Sequence, residues 1–238
     1  MRVLDLDLDF FLADCCPLAP VGARPALAGH EPWPAESAAD FLERQCGLSA
    51  ETPLPGAVFE THDGALRFWQ SRIQAGALTP PFHVTHVDAH SDLGIGRPGP
   101  GYVLSGVLPQ RVEARADPVR YTALHQLDEA NYLLFALAFR WIGSLDNVRN
   151  PKSRPDIPPA VLAPGRTDAI RLTSFAARVM EGVNGPEPLI PFHVYDDYRT
   201  FHSDAPYDFV TLAISPRYAP AAADALVPLI RRYIRPAA

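Results

Sequence analysis

Residues 86–92 read HVDAHSD, and Asp88, His90 and Asp92 recur in it at every second position. In an extended segment that spacing turns all three side chains to one side. Two carboxylates and an imidazole converging there without a cation would repel or stand unpaired. Mixed carboxylate and imidazole donors suit Mn²⁺, Fe²⁺ or Zn²⁺ better than Ca²⁺ or Mg²⁺. The competing reading is a polar turn after a strand, its acids serving as helix caps. Residues 4–11, LDLDLDFF, put Asp5, Asp7 and Asp9 on one face of a strand and Leu4, Leu6, Leu8 and Phe10 on the other. That is either an edge strand with a wet acidic face or a metal-bearing strand end. In the second case, with Asp88 and Asp92, it supplies enough carboxylate for two divalent ions. Residues 60–69, ETHDGALRFW, place His62 at or just before a helix N-terminus. The helix dipole there disfavours imidazolium, leaving a neutral ring able to ligate; the plain alternative is a capping or exposed histidine.

Strands and helices must bring these segments together. Period-two alternation predicts a strand over Val3–Phe11, and Phe82–Val87 is a short apolar strand ending in acids. Further strands are expected at Ala169–Leu172, Leu189–Tyr195 and Phe209–Ile214. Helices are expected at Ala38–Cys46, at His62–Gln74 with Leu66, Trp69 and Ile73 on one face and Gly76 as its stop, at Glu129–Ile142, and from about Pro220 to Tyr233. Such alternation predicts an α/β fold: three layers, a mostly parallel sheet with helices on both faces, and sites beyond the carboxyl ends of the strands.

Composition narrows the class. The chain has 238 residues, 47% hydrophobic and 20% charged, which suits one globular domain rather than disorder. A net charge of −6 argues against a nucleic-acid partner. Eighteen Asp stand against nine Glu, and short carboxylates at strand ends are what hard metal ions bind. Three cysteines, Cys15, Cys16 and Cys46, support neither a disulfide framework nor a zinc ribbon. The longest apolar run, Tyr132–Phe139, is too short to cross a bilayer, so no membrane partner is expected and a cytoplasmic home is the default. The proline-rich segments 17–34 and 151–164 read as ordered loops, plausibly placed for a substrate groove.

The set of motifs resembles the arginase/deacetylase (ureohydrolase) superfamily, α/β proteins with a binuclear Mn²⁺ cluster at the carboxyl end of a parallel sheet. It is most similar to a branch marked by E-x-H, D-x-H-x-D and D-x-D-x-D-F-F that includes peptide arginases, which convert arginine to ornithine in ribosomally made precursor peptides. The likeness covers residues 3–12, 60–69, 82–93 and, more weakly, 207–216. It implies two Mn²⁺ per chain held by His62, Asp88, His90, Asp92, Asp7 and Asp9, with Asp88 bridging and Asp9 bridging or bidentate. Asp5 stands where arginases have a serine, which implies a supporting place, with a slip to Asp5 and Asp7 as the ligand pair left open. Three departures accompany the likeness. The D-x-D strand comes first in the chain, LGIGRPGPGYV replaces the segment that reads free arginine's α-groups, and AISP lacks the arginase glutamate. The last two favour a peptide-embedded arginine over the free amino acid.

The implied reaction is metal-assisted hydrolysis of the guanidinium group to ornithine and urea, needing an acid for the leaving amine. His86, His125, His193 and His202 are the candidates. Glu60 is the first choice to receive the guanidinium, then Glu129 or Asp197, with Asn131 also able to face the site. The expected partner is an arginine-containing precursor peptide, and an oligomer is left open. The alternatives are another amidinohydrolase, a deacetylase, or a metal-containing domain that binds peptide without turnover. Asp92 counts against a deacetylase, since deacetylases of this superfamily lack the third carboxylate.

Overall fold

The alternating segment forms β1 (Arg2–Asp7), and seven more strands join it: β2 (Leu54–Phe59), β3 (Phe82–Asp88), β4 (Ile142–Arg149), β5 (Ala169–Ile170), β6 (Ile190–Tyr195), β7 (Phe209–Ala213) and β8 (Ile234–Pro236). The computed structural model describes residues 1–94, 99–174 and 184–237. The strands make one sheet in the order β5-β6-β4-β3-β1-β7-β2-β8, parallel throughout except for the antiparallel β5–β6 pair. Helices and helical turns cover both faces, so the fold is the expected α/β arrangement. No helix among the described residues is long and apolar enough to cross a membrane.

Register explains where polarity collects. Val3 lies beside Val84 and Phe209, and Val84 beside Leu145. These side chains form one core with Leu66 and Trp69 of the Gly64–Gln74 helix and Phe135 of the Tyr132–Ala138 helix. Two residues along the same face, the row becomes Asp5, His86 and Thr211. Asp7 and Asp88 end their strands beyond that row. One face therefore passes from hydrocarbon to carboxylate within a single strand length. On the opposite face Leu4, Leu6, Val87, Val210 and Leu212 pack on Ala38, Phe41 and Leu42 and on Leu226, Ile230 and Tyr233.

Several expectations need correction. The first strand stops at Asp7, because the Asp7 carboxylate accepts the Asp9 N–H at 3.0 Å and starts a 3₁₀ turn over Leu8–Phe11. The Ala38–Cys46 helix begins earlier, at Ala35 after Pro34, and closes in a π turn over Phe41–Gln45. The Glu129–Ile142 helix shortens to Tyr132–Ala138; Arg140 turns to φ 59° and Ile142 opens β4, a strand the sequence did not suggest. Strand β2 was also missed behind Pro55 and Gly56. Gly56 is required there: a Cβ would stand 1.7 Å from the Val210 carbonyl oxygen of β7. The last helix is broken into a 3₁₀ stretch over Ala221–Leu226, an α turn over Val227–Ile230 containing Pro228, and a 3₁₀ turn over Arg231–Tyr233.

Candidate metal centre

Five buried carboxylates, Asp5, Asp7, Asp9, Asp88 and Asp92, meet at the carboxyl ends of β1 and β3. Among the described residues their only ionic partners are His62, His86 and His90. Among the described residues neither lysine nor arginine pairs with them. Burying that much like charge is prohibitive unless a cation or bound protons offset it.

The donor atoms form two groups that share one residue. His62, His86, Asp88 and Asp92 make the first, and Asp9, Asp88 and His90 the second. His62 Nδ1 stands 3.1 Å from Asp7 Oδ2, 3.0 Å from Asp88 Oδ2 and 3.1 Å from Asp92 Oδ2. Two ligands at right angles around a cation at about 2.1 Å lie about 3.0 Å apart. Hydrogen bonding does not explain these approaches: both His62 nitrogens, His86 Nε2 and Asp92 Oδ2 are buried without a hydrogen-bond partner. Orphaned donors facing a common centre are what a metal ion satisfies, so the residues fit one. Asp88 turns its two oxygens to different groups. Oδ2 lies by His62 and, at 3.3 Å, by His86 Nε2, whereas Oδ1 accepts the His90 N–H at 2.7 Å. In the second group His90 Nδ1 is 3.0 Å from Asp9 Oδ2, and Asp9 Oδ1 accepts the Ala89 N–H at 3.3 Å.

Behind these donors lies a supporting layer. Asp5 is enclosed, accepting from Tyr132 Oη and Thr211 Oγ1 and standing 3.3 Å from His62 Nε2. A carboxylate behind a histidine is an arrangement that orients a ligating ring; Asp7 stands instead by His62 Nδ1, and neither Asp5 nor Asp7 belongs to either donor group. Tyr132 Oη also lies 3.2 Å from His86 Nδ1. Ser215 Oγ donates to Asp7 Oδ2. Asp92 and Ser215 both adopt left-handed backbone, at φ 49° and 45°. Such residues store of order 1–3 kcal/mol each and collect where function holds them.

Protonation reports the missing positive charge. Burial opposes a charge on each imidazole, yet the carboxylates prevail. Asp5, Asp7 and Asp88 push His62 well above the usual histidine range, Asp9 and Asp88 do so for His90, and Asp5 and Asp88 raise His86 to about 9. Burial and then Asp88 push Asp92 up to about 7, and burial, Asp7 and Asp88 push Asp9 well above the carboxylate range. Asp88 goes the other way: burial raises it, but His62, His86 and His90 hold it well below normal. The neutrality expected of His62 from a helix dipole is overridden, since the helix starts at Gly64 and the ring points among carboxylates. Bound protons occupy the role a divalent cation would take.

The mouth of the site is formed by His90, the most exposed of the cluster, with the Tyr218 ring 5.0 Å from its own. The 128–131 turn is tied to the D-x-H-x-D loop by the Gly94 N–H donating to the Ala130 carbonyl at 2.9 Å. Asp128 on that turn is pushed up to about 6, by burial and then by Glu129 and Asp63, against a hydrogen bond from Ala130. Glu129 pairs with Arg217 at 3.3 Å.

Sequence reasoning assembled His62, Asp88, His90, Asp92, Asp7 and Asp9 correctly as neighbours, but several other assignments fail on placement. Glu60 is exposed; its carbonyl accepts the Ser215 N–H, and its side chain lines a surface cleft with Arg67 and Phe68. Asp197 is spent on Arg199 at 2.6 Å. The Asn131 amide serves its own turn, accepting from the Asp128 N–H and donating to the Gln126 carbonyl. His125 is exposed where the Pro118–Ala123 helix ends, and His202 lines a cleft with Arg44 and Arg199. His193 pairs with Asp146 at 3.3 Å, on the sheet face opposite Asp5 and His86. His86 is a buried member of the first donor group rather than a proton donor at the mouth. Its period-two spacing ahead of Asp88 carried that signal. Residues 95–98 of LGIGRPGPGYV lie outside the described residues. Ser215, Tyr132 and Tyr218 were missed, since single hydroxyls carry no spacing pattern.

The fold and cluster define a class, an α/β protein with a buried carboxylate–histidine site that can hold a metal ion at the carboxyl ends of its central strands. No protein-family model matches the chain, and the search of curated proteins finds no match.

Proposed function

We propose that the protein is a manganese-dependent ureohydrolase that converts arginine side chains, within a ribosomally made peptide, to ornithine and urea. The observation that carries this reading is the pair of donor groups joined through Asp88, whose mixed carboxylate and imidazole donors would suit two ions. His62, His86, Asp88 and Asp92, with Asp7, would hold one Mn²⁺, and Asp9, Asp88 and His90 the other. When bound, the ions supply Lewis-acid activation of water and of the guanidinium carbon. The protein's own residues do the rest. Asp128, on the 128–131 turn and with no cationic partner among the described residues, would attract the cationic side chain, whereas Glu129 is taken by Arg217. Tyr218 keeps its proton, because burial, Glu129 and Asp92 raise its pKa above the tyrosine range, and offers a hydrogen-bond donor beside His90. The motif resemblance supports the guanidinium as the reacting group, and the replaced segment after Asp92 supports a peptide over free arginine.

Two measurements test this. Metal analysis should find about two Mn²⁺ per chain, and mass spectrometry of an arginine-containing peptide should show ornithine with equimolar urea. Bound metal with peptide and free arginine both unchanged would overturn the hydrolase reading in favour of a binding domain. A second reading has one observation of its own. The first donor group is complete and wholly buried without the second, which suits a one-ion deacetylase or amidohydrolase. A single ion per chain, with deacetylation of acetyl-lysine peptides, would select it.

A further inference from the structure

We propose that the cleft beside His90 binds a carboxylate of the substrate through Lys152 and Arg154. The proposal rests on the ureohydrolase reading for the rest of the substrate. A cleft of about 440 Å³ runs outward from Ala89 and His90, between the Cys15–Leu18 segment and the loop carrying Lys152 and Arg154. Its lining reaches His90 of the second donor group, so whatever lodges there lies beside that end of the cluster.

The loop is built rather than draped. Buried Asn150 donates to the Phe10 and Leu12 carbonyls at 2.9 and 2.7 Å, tying it to the turn that carries Asp9. The Asn150 side chain also accepts the Lys152 N–H at 2.9 Å. Buried Arg149 holds the Arg154 carbonyl and, at 2.7 Å, the Asp156 carboxylate. Asp156 in turn accepts the Ser91 N–H at 2.7 Å, inside the D-x-H-x-D loop. Both halves of the metal centre thus fix the backbone that presents the two cations.

Charge accounting then decides the ligand. Of the two acids that line the cleft, Asp156 is paired with Arg149 at 2.7 Å, whereas Asp14 has no cationic partner among the described residues and accepts the Cys15 N–H at 2.8 Å. Lys152 and Arg154 have no acidic partner among the described residues. Two unpaired cations thus stand against one unpaired carboxylate around a cleft that reaches His90 of the second donor group. Opposite them are Pro17 and Leu18, an apolar wall for the stem of the acid. The anions that an arginine-bearing substrate offers are a neighbouring Asp or Glu side chain, or the α-carboxylate of free arginine. Either would be held while the guanidinium points to the ions.

The test uses Mn²⁺-loaded protein and three probes: a labelled peptide with glutamate on both sides of its arginine, its glutamine twin, and free arginine. Affinity is read by anisotropy or calorimetry, and urea release is followed in parallel. For Lys152→Met/Arg154→Met, the glutamate peptide should bind about 10-fold more weakly and the glutamine twin within about twofold of wild type. Lys152 is the only lysine of the chain, so lysine-selective acetylation of wild type should reproduce part of the loss. A loss confined to free arginine keeps the cleft and assigns its anion to the amino acid. Equal losses for all three probes, or none, overturn the proposal. Failure of the ureohydrolase reading is distinct: no urea from any probe, with the affinity difference intact.

Discussion

Asp92→Asn separates the cost of the metal centre from its use. Asp92 is buried, its Oδ2 has no hydrogen-bond partner, and its carboxyl stands at about 7 against an ordinary 3.8. A carboxyl whose pKa rises on folding contributes fully below its unfolded value. That contribution is lost as pH climbs through the folded value and leaves a buried ionised group. Holding that carboxyl at about 7 instead of 3.8 corresponds to about 4 kcal/mol. Asparagine keeps the shape and never ionises. Metal-free Asp92→Asn should therefore equal wild type near pH 4 and exceed it above pH 7 by about 4 kcal/mol, or roughly 8–16 °C in Tm for a chain of this size. Manganese reverses the advantage: at a hundredfold over Kd each ion adds about 2.7 kcal/mol to wild type, whereas the variant has lost a ligand of the first group. Scanning calorimetry of chelator-treated protein at acid and alkaline pH, with and without Mn²⁺, reads both effects. If the metal-free variant is less stable than wild type near pH 8, the view of Asp92 as a buried charge awaiting a cation is wrong.

Asp88→Asn should abolish binding of both ions, whereas His90→Ala should leave the first donor group able to retain one, as counted by metal analysis of purified variants. Manganese affinity should fall as pH drops through about 7, because protons on Asp92 compete with the ion; isothermal titration across that range checks the sign. Tyr132→Phe removes the hydroxyl that Asp5 and His86 share. It should cost about 1–3 kcal/mol in a denaturant titration and weaken metal binding about 10- to 100-fold. Gly56→Ala forces a methyl into the Val210 carbonyl, and should unfold the β2 side of the sheet, seen as lost amide protection in β2 and β8.

The buried cluster was legible because its residues leave a spacing: Asp88, His90 and Asp92 at alternate positions, Asp5 and Asp7 along one strand. What alternation could not show was the Asp7 carboxylate capping the next turn, which takes Asp9 out of line and toward His90. Strand β4 escaped notice for a related reason. Its Ser144 and Asp146 meet His83 and His193, and its Asn147 and Arg149 brace the neighbouring loops, so no apolar period marks it. An acid or histidine chosen by type alone carries no distance, so among the described residues Glu60, Asp197, His125 and His202 make no ion pair with the cluster, while Glu129 lies near Tyr218. Glu60, two residues from His62, is exposed, while Tyr218, more than a hundred residues from His90, meets that ring edge-on.

The central place of β1 has a consequence for the life of the chain before it folds. Its neighbours are β3 and β7, and about two hundred residues separate Asp7 from Phe209. At about 5–20 residues per second, synthesis leaves β1 without its second partner for roughly 10–40 s. A leucine-rich strand exposed that long is the kind of segment that seeds cross-β association. Asp5, Asp7 and Asp9 interrupt it at every second residue, as charged gatekeepers do. The carboxylates that end up in the buried cluster carry charge at the spacing that disfavours pairing of the nascent strand with its copies.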